Sequence, residues 1–292
     1  MATPSSREAR PLEGKTMFIS GASRGIGLAI AKRVAADGAN VALVAKTAEP
    51  HPTLPGTIYT AAEEIEAAGG RALPIVGDIR DGDVVAAAVA KAVEQFGGID
   101  ICVNNASAIN LGSIEEVPLK RFDLMNGIQV RGTYAVSQAC IPHLKGGDNP
   151  HILTLSPPIR MEPKWLQPTP YMMAKYGMTL CALGIAEELR SAGVASNTLW
   201  PRTMVATAAV QNLLGGDESM KRSRRPEVYS DAAYAILTRP AREYTGHSAL
   251  CEDVLLESGV TDLSVYNCTP GEVELGVDLW VDSANPPGYT GP

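Results

Sequence analysis

What most restricts the fold of this chain is a rhythm: short, almost purely aliphatic runs alternate with longer, Ala-rich stretches of helical period. The runs fall at 16–20, 41–45, 72–76, 99–103, 152–155, 194–199 and 247–251. Between most of them lie segments such as 26–36, 57–68, 84–95 and 171–190, whose apolar positions recur every three or four residues. A strand that is apolar on both faces has to be covered on both, and strand–helix–strand alternation supplies that cover. The pattern predicts a doubly wound, Rossmann-type α/β fold. In it a seven-stranded parallel sheet carries helices on both faces, and its ligand crevice lies at the carboxyl ends of the strands. No break divides the 292 residues, so a single domain is expected, with its core over 12–255 and a C-terminal extension over 254–292. Hydrophobic residues make up 45% of the chain, enough for one large core, and the aromatic share of only 5% suits close packing of helices on a sheet.

Charge and cysteine usage narrow the function classes. A net charge of −7 argues against nucleic acid as the main partner. The locally basic run Lys221-Arg222-Ser223-Arg224-Arg225 reads either as a solvated loop or helix end, or as a contact for an anion or substrate. Five cysteines stand scattered at 102, 140, 181, 251 and 268, without a CxxC pair or a nearby histidine, so no metal site is expected and a reducing, cytoplasmic location fits. Cys102 sits inside an apolar run and reads as core. The first fifteen residues carry charges and prolines rather than an apolar stretch, so no signal peptide is expected. No apolar run approaches the ~18 residues of a membrane span.

The first run leads into Ser20-Gly21-Ala22-Ser23-Arg24-Gly25-Ile26-Gly27. A Gly-rich turn between strand and helix lets backbone approach a pyrophosphate, and the helix N-terminus offers free N–H groups and a positive dipole end. The second run ends at Lys46, where an NAD site usually places an acid for the ribose 2′-hydroxyl. Lys46 with Arg24 suits the 2′-phosphate of NADP instead, with NAD(H) the less favoured cofactor. The third run ends at Gly77-Asp78-Ile79, where a carboxylate can accept from the adenine amino group. The fourth ends in the polar turn Asn104-Asn105-Ala106-Ser107. Tyr171 and Lys175 then lie four residues apart on one helical face. A cationic lysine beside a phenol favours phenolate, so the tyrosine can exchange a proton with a carbonyl/alcohol pair while a nicotinamide moves the hydride.

With these residues in order, the chain resembles the short-chain dehydrogenase/reductase family over roughly residues 12–255, through SGASRGIG at 20–27, Asp78, NNAS at 104–107, YMMAK at 171–175 and the turn at Pro201. Within that family the ILTLSPP run, the long connection after the second strand and YMMAKYGM are most similar to the hydroxysteroid dehydrogenase-like group of the second type. The resemblance implies Tyr171 as acid/base, and Lys175 as the residue that binds the nicotinamide ribose and tunes Tyr171. It also implies a cofactor lining that includes Gly21, Ser23, Arg24, Ile26, Gly27, Lys46, Asp78, Ile79, Asn105, Ala106, Pro201 and Thr203. It implies a small-molecule alcohol/carbonyl substrate and a homodimer or homotetramer paired through helices such as 118–145 and 171–190.

Three departures from the family pattern stand out. A proline occupies the position of the catalytic serine, and Ser156 lies one step early. Ser156 is expected to serve if the Pro157-Pro158 turn redirects it toward the substrate oxygen. Gln129 aligns with the family's helix asparagine, which supports a proton-relay water. Arg202 and Ser107 replace two turn glycines. An apolar substrate pocket is expected from Met204, Val205, Val210, Leu213 and Leu214 with Trp165, Leu166 and Trp200, unless these residues are core. Residues 47–56, with three prolines, are expected to fold over the adenine half of the cofactor, with Lys46 and Thr47 reaching its phosphate, or else to form a surface excursion. The alternative to an alcohol/carbonyl oxidoreductase is a cofactor-binding protein with degenerate catalysis that acts by binding or assembly.

Overall fold

The computed structural model describes residues 10–50, 55–271 and 273–291. Seven strands form one sheet: β1 (Thr16–Ser20), β2 (Asn40–Ala45), β3 (Arg71–Val76), β4 (Ile101–Asn104), β5 (His151–Thr154), β6 (Ala195–Trp200) and β7 (Ser248–Leu250). Their order is β3-β2-β1-β4-β5-β6-β7, and every pairing is parallel. The helices are α1 (Gly25–Ala35), α2 (Ile58–Ala67), α3 (Gly82–Phe96), α4 (Leu119–Asn126), α5 (Gly132–Leu144), α6 (Thr169–Glu188), α7 (Ala208–Leu213), α8 (Gly216–Lys221), α9 (Glu227–Leu237) and α10 (Cys251–Glu257). The Rossmann-type doubly wound fold expected from the rhythm is the one observed, and the strand order reverses between β1 and β4, which opens the crevice there.

Alternation along the strands explains why both faces had to be apolar. Ile19 of β1, Leu43, Val103 and Leu153 pack with Ile30 and Val34 of α1 and with Tyr229 and Ile236 of α9. Their neighbours Phe18, Ala42, Cys102 and Ile152 point the other way, onto Val85 and Val89 of α3 and Val136 and Cys140 of α5. Cys102 is core, as expected. Pro74 sits inside β3, which pairs only with β2 and is therefore an edge strand, where a missing N–H is tolerated. Local signals set the helix ends: Thr57 and Thr60 form a reciprocal capping box at α2, Asp81 caps α3, and Gly97 ends α3 with φ +88. The last strand is shorter than the apolar run at 247–251 because Cys251 already opens α10.

The C-terminal extension folds back onto the body. Its backbone joins the segment after β6 through Met204 N–H to Gly276 O (2.9 Å) and Asp278 N–H to Arg202 O (2.9 Å). Trp280 then packs into a third apolar cluster with Tyr171, Tyr176 and Trp200. Arg224, from the basic run, is not a solvated charge, and the anion it meets is a side chain of the same chain. It is buried and donates to Glu252 Oε1 (2.8 Å) on α10 and to Asn285 Oδ1 (2.7 Å) in the extension. Among the described residues no helix is long and apolar enough to cross a membrane, and no cluster of His, Cys, Asp or Glu has the makings of a metal site.

Candidate active site

At the carboxyl ends of β1 to β4 lies a cleft of about 620 Å³, lined by Gly21, Ser23, Arg24, Ile26, Lys46, Thr47, Asp78, Ile79, Asn105 and Ala106 among others. The glycines earn their positions by close approach. A Cβ on Gly21 would lie 2.8 Å from Ala106 Cα, and one on Gly27 would lie 2.5 Å from Asn105 Nδ2. That nitrogen donates to Ser20 O (2.9 Å) and Gly21 O (2.7 Å), so Asn105 stitches the turn after β4 to the turn after β1. Gly27 thus shapes the cleft from behind and does not line it. The first turn of α1 has neither a capping side chain nor an acidic residue, which leaves its N–H groups and positive end open to the cleft. Beside it the Arg24 Nε is buried without a partner among the described residues, while its Nη2 donates to Gly56 O (2.9 Å). An orphaned guanidinium N–H next to an uncapped helix N-terminus fits a phosphate-bearing group.

Asp78 is held on both sides. Arg80 grips it bidentately, and Lys46 Nζ lies 3.2 Å from its Oδ2. The Arg80 guanidinium keeps the carboxyl far below the usual carboxylate range. Lys46 therefore reaches the cleft wall from an exposed position beside an acid. Of the long connection, Thr47 lines the cleft, while residues 51–54 lie outside the described residues.

Next to the cleft opens a second cavity of about 370 Å³, and Ile26, Asn105, Ser107 and Thr207 line both. Tyr171 and Lys175, one turn apart on α6, form part of its wall. Lys175 is buried, and its Nζ donates to Leu155 O (2.9 Å) and sits 5.1 Å above the Trp200 ring. Burial pushes the Lys175 ammonium down to about 7, against the opposing pull of Asp278. Burial and the Asp278 charge raise the Tyr171 phenol, while the Ser107 side chain facing it lowers it. Without cofactor the phenol is thus neutral and able to give a proton. Met204, Val205, Val210, Leu214 and Trp200 line this cavity, as the sequence suggests. Leu213 instead borders the cleft, and Trp165 and Leu166 line neither space. The carbonyl of Trp165 accepts from Trp280 Nε1 (2.9 Å).

Besides Gly27, three expected site residues lie elsewhere. Ser156 is fully buried and lines neither space; its Oγ accepts from Thr179 Oγ1 (2.9 Å), which is shared with Pro157 O. The Pro157-Pro158 turn therefore carries the hydroxyl against α6 and not toward the substrate. Gln129, buried in a π-helical turn at Gly127–Arg131, accepts from Ala108 N–H (3.2 Å) and borders neither space. Thr203 is buried with its hydroxyl on Glu252 Oε1 (3.3 Å), and Thr207, four residues on, takes the wall position. Pro201 does line the substrate cavity. Sequence reasoning missed Ser107, Thr207, Asp278 and Trp280. Ser107 was visible as the residue replacing a turn glycine. A tryptophan in a Pro- and Gly-bearing extension was the other available signal, since so large an apolar ring rarely stays in water.

These features agree with the chain's relatives. The family model described as short chain dehydrogenase matches residues 15–216. Hydroxysteroid dehydrogenase-like protein 2 of Danio rerio is 56% identical over 261 residues, which cover 89% of this chain and 62% of the relative. The chain spans 62% to 65% of the length of the first such curated relatives. A solved short chain dehydrogenase of Mycobacterium thermoresistibile is 87% identical, covers 96% of this chain and 100% of its own, and superposes with a TM-score of 0.93. More distant solved relatives include a blue fluorescent protein from a metagenomic library in complex with NADPH (28% identical, 82% of this chain and 97% of that one, TM-score 0.71). Another is a short chain dehydrogenase of Mycobacterium paratuberculosis bound to NAD (25%, 82% and 97%, TM-score 0.70). With a glycine turn stitched by Asn105, and a tyrosine and lysine one turn apart beside it, the chain belongs to the short-chain dehydrogenase family of oxidoreductases.

Proposed function

We propose that this chain is an NADP(H)-dependent oxidoreductase that interconverts an apolar alcohol and its carbonyl compound. The observation that carries the reading is the meeting of Tyr171 and Lys175 in one largely apolar cavity that is continuous with the glycine-turn cleft. A nicotinamide cofactor supplies or accepts the hydride; every other task falls to the chain. Gly21 to Gly27 and the open end of α1 receive the pyrophosphate, with Asp78, Ile79, Asn105 and Ala106 around the adenine and ribose. Tyr171 gives its phenolic proton to the carbonyl oxygen in reduction and takes it back in oxidation. Lys175 holds the nicotinamide ribose, and its charge eases loss of the Tyr171 proton. The apolar wall of Met204, Val205, Val210 and Leu214 selects an apolar substrate body and keeps water from the transfer.

NADP is favoured over NAD because the strand-end position after β2 holds Lys46 and no acid, with Arg24 and its unpartnered Nε across the cleft. The solved relatives hold NADPH in one case and NAD in another, so the choice belongs to these side chains. The exposed Leu119, Tyr134, Met173 and Leu180, on α4 to α6, support a homodimer or homotetramer, and the dispersed free cysteines support a reducing, cytoplasmic location. Oxidation of NADPH is to be followed with a panel of aliphatic, isoprenoid and steroid-like aldehydes and ketones, and NADP⁺ reduction with the matching alcohols. Turnover that disappears in Tyr171→Phe while NADPH affinity stays the same is expected. Tight NADPH binding with no turnover anywhere on the panel would instead mark the chain as a cofactor-binding protein, the role suggested by the misplaced Ser156.

A further inference from the structure

We propose that Asp278, carried into the active-site cavity by the C-terminal extension, is the acid that resupplies Lys175 with its proton between turnovers. The proposal rests on the reading of Tyr171 and Lys175 as the catalytic pair. Asp278 lies outside the segment matched by the family model, yet it lines the same cavity as both residues. Its place is well fixed. The Asp278 N–H donates to Arg202 O (2.9 Å), Trp200 Nε1 donates to the next carbonyl, Leu279 O (3.0 Å), and Trp280 stacks on Tyr171 with ring centres 5.8 Å apart.

A neighbouring acid shows what a structural carboxylate looks like here. Glu252 is saturated by Arg224 (2.8 Å), the Arg202 N–H (2.8 Å) and Thr203. Among the described residues the Asp278 carboxylate accepts the Leu279 N–H (2.6 Å) and makes no other hydrogen bond and no ion pair. Its remaining capacity belongs to the cavity. The charged and titratable groups facing it are Lys175 and Tyr171 from α6, Glu252 and Cys251 from α10, and Tyr229 from α9. Partial burial pushes Asp278 up to about 7, and Glu252 adds to the rise while Lys175 opposes it. Lys175 is pushed down to about 7, so the two groups have matched proton affinities, the condition for easy transfer in either direction. Gln129, where the family relay begins, has its carbonyl oxygen committed to Ala108 and lines neither space.

The balance is simple. Once the Tyr171 O–H bond has broken to protonate the carbonyl oxygen, a Lys175 N–H proton passes to the phenolate. The Asp278 carboxyl proton then crosses the cavity through water to the Lys175 amine, and solvent returns one proton to Asp278. No electrons change owner in these steps, and oxidation runs them in reverse. Asp278 touches no reacting atom in this role and acts through Lys175.

Asp278→Asn keeps the acceptor for Leu279 N–H and removes only the acid. In carbonyl reduction it should lower kcat about tenfold at and below neutral pH, where Asp278 holds its proton, with KM and NADPH affinity little changed, and Asp278→Glu should restore part of the loss. A second readout needs no turnover. Calorimetry of NADP⁺ binding in buffers of different ionisation enthalpy counts protons taken up, and the pH of greatest uptake should lie near neutrality in the wild type and move in Asp278→Asn. An unchanged pH profile together with unchanged proton uptake would overturn the proposal. If the wild type turns over nothing, the catalytic reading falls, and the uptake measurement alone decides whether Asp278 and Lys175 share a proton. Should Asp278→Asn melt early, Asp278→Ser serves for the same comparison.

Discussion

Ser107 replaces a glycine in the turn after β4, and its side chain faces the Tyr171 phenol from the wall shared by cleft and cavity. It therefore offers a second hydrogen-bond donor where a carbonyl oxygen would meet Tyr171. Ser156, the serine that the sequence nominates, gives its lone pair to Thr179 inside the core. Ser107→Ala should lower kcat about tenfold, the loss of one hydrogen bond of about 1.4 kcal/mol to a charged transition state. Ser156→Ala should leave kcat near wild type and lower stability by about 1 kcal/mol, because it leaves Thr179 its bond to Pro157 O. Steady-state rates and urea melts on the two variants check this, and the reverse pattern would return the role to Ser156. Lys46 is a case where sequence and structure agree on place and differ in detail. It reaches the cleft, but it shares Asp78 with Arg80. Lys46→Asp would set a second carboxylate beside Asp78 and remove the cation offered to a 2′-phosphate. NADPH affinity should fall at least tenfold, with NADH affinity the same or better, as titrated by cofactor fluorescence. Equal losses for both cofactors would mean that Lys46 does not read the phosphate.

The elements that were legible are those whose signal is local. Aliphatic runs and three-to-four periodicity mark β1 to β6 and helices α1, α2, α3 and α6 to within a few residues, and the spacing of Tyr171 and Lys175 on one helical face needs nothing beyond that helix. The extension was opaque because its partners are distant in sequence. Val277 bridges to Thr203, Trp280 meets Tyr171, Tyr176 and Trp200, and Asn285 meets Arg224. For the same reason the basic run misleads as a sequence feature. Lys221 pairs with Glu218 at the surface, whereas Arg224 is turned inward to tie α10 and the extension to the segment after β6. Arg224→Ala would strand Glu252, which is 0% exposed, without its cation. A loss of about 3–5 kcal/mol is expected, visible as a lower melting temperature and as proteolysis of the extension before the body. Because the extension forms one wall of the cavity, activity should fall with it. A variant that melts like the wild type would show that the extension is held by Trp280 and the backbone bridges alone.

The whole molecule carries two titratable groups, His151 and Asp278, whose effects on stability oppose each other below neutrality. His151 opens β5 with no exposed surface, its Nε2 3.1 Å from Arg239 O and its Nδ1 without a partner. Burial pushes its pKa down to about 4, so the imidazole is neutral in the fold and must charge as the acid limb is entered. A folded value below the unfolded one means stability that is complete above the unfolded value near 6.5 and is lost as pH falls through about 4. At ~1.4 kcal/mol per unit the span is worth at most about 3 kcal/mol. Asp278 has the opposite sign. Raised from 3.8 to about 7, it contributes stability that is complete below 3.8 and is lost as pH rises through about 7. Between about pH 4 and 7 the cofactor-free protein should therefore lose stability through His151 as acid is added, while Asp278 offsets part of that loss. His151→Gln keeps an amide donor for the Arg239 carbonyl and cannot charge. The drop in melting temperature between pH 7 and pH 4 should shrink by several degrees in this variant, while the alkaline limb stays as it was. Asp278→Asn should do the converse, steepening the drop between pH 7 and pH 4, because it removes the stability that acid adds through Asp278. If His151→Gln melts lower by the same amount at every pH, the histidine is fixed by packing alone, and acid unfolding of this fold belongs to its surface carboxylates.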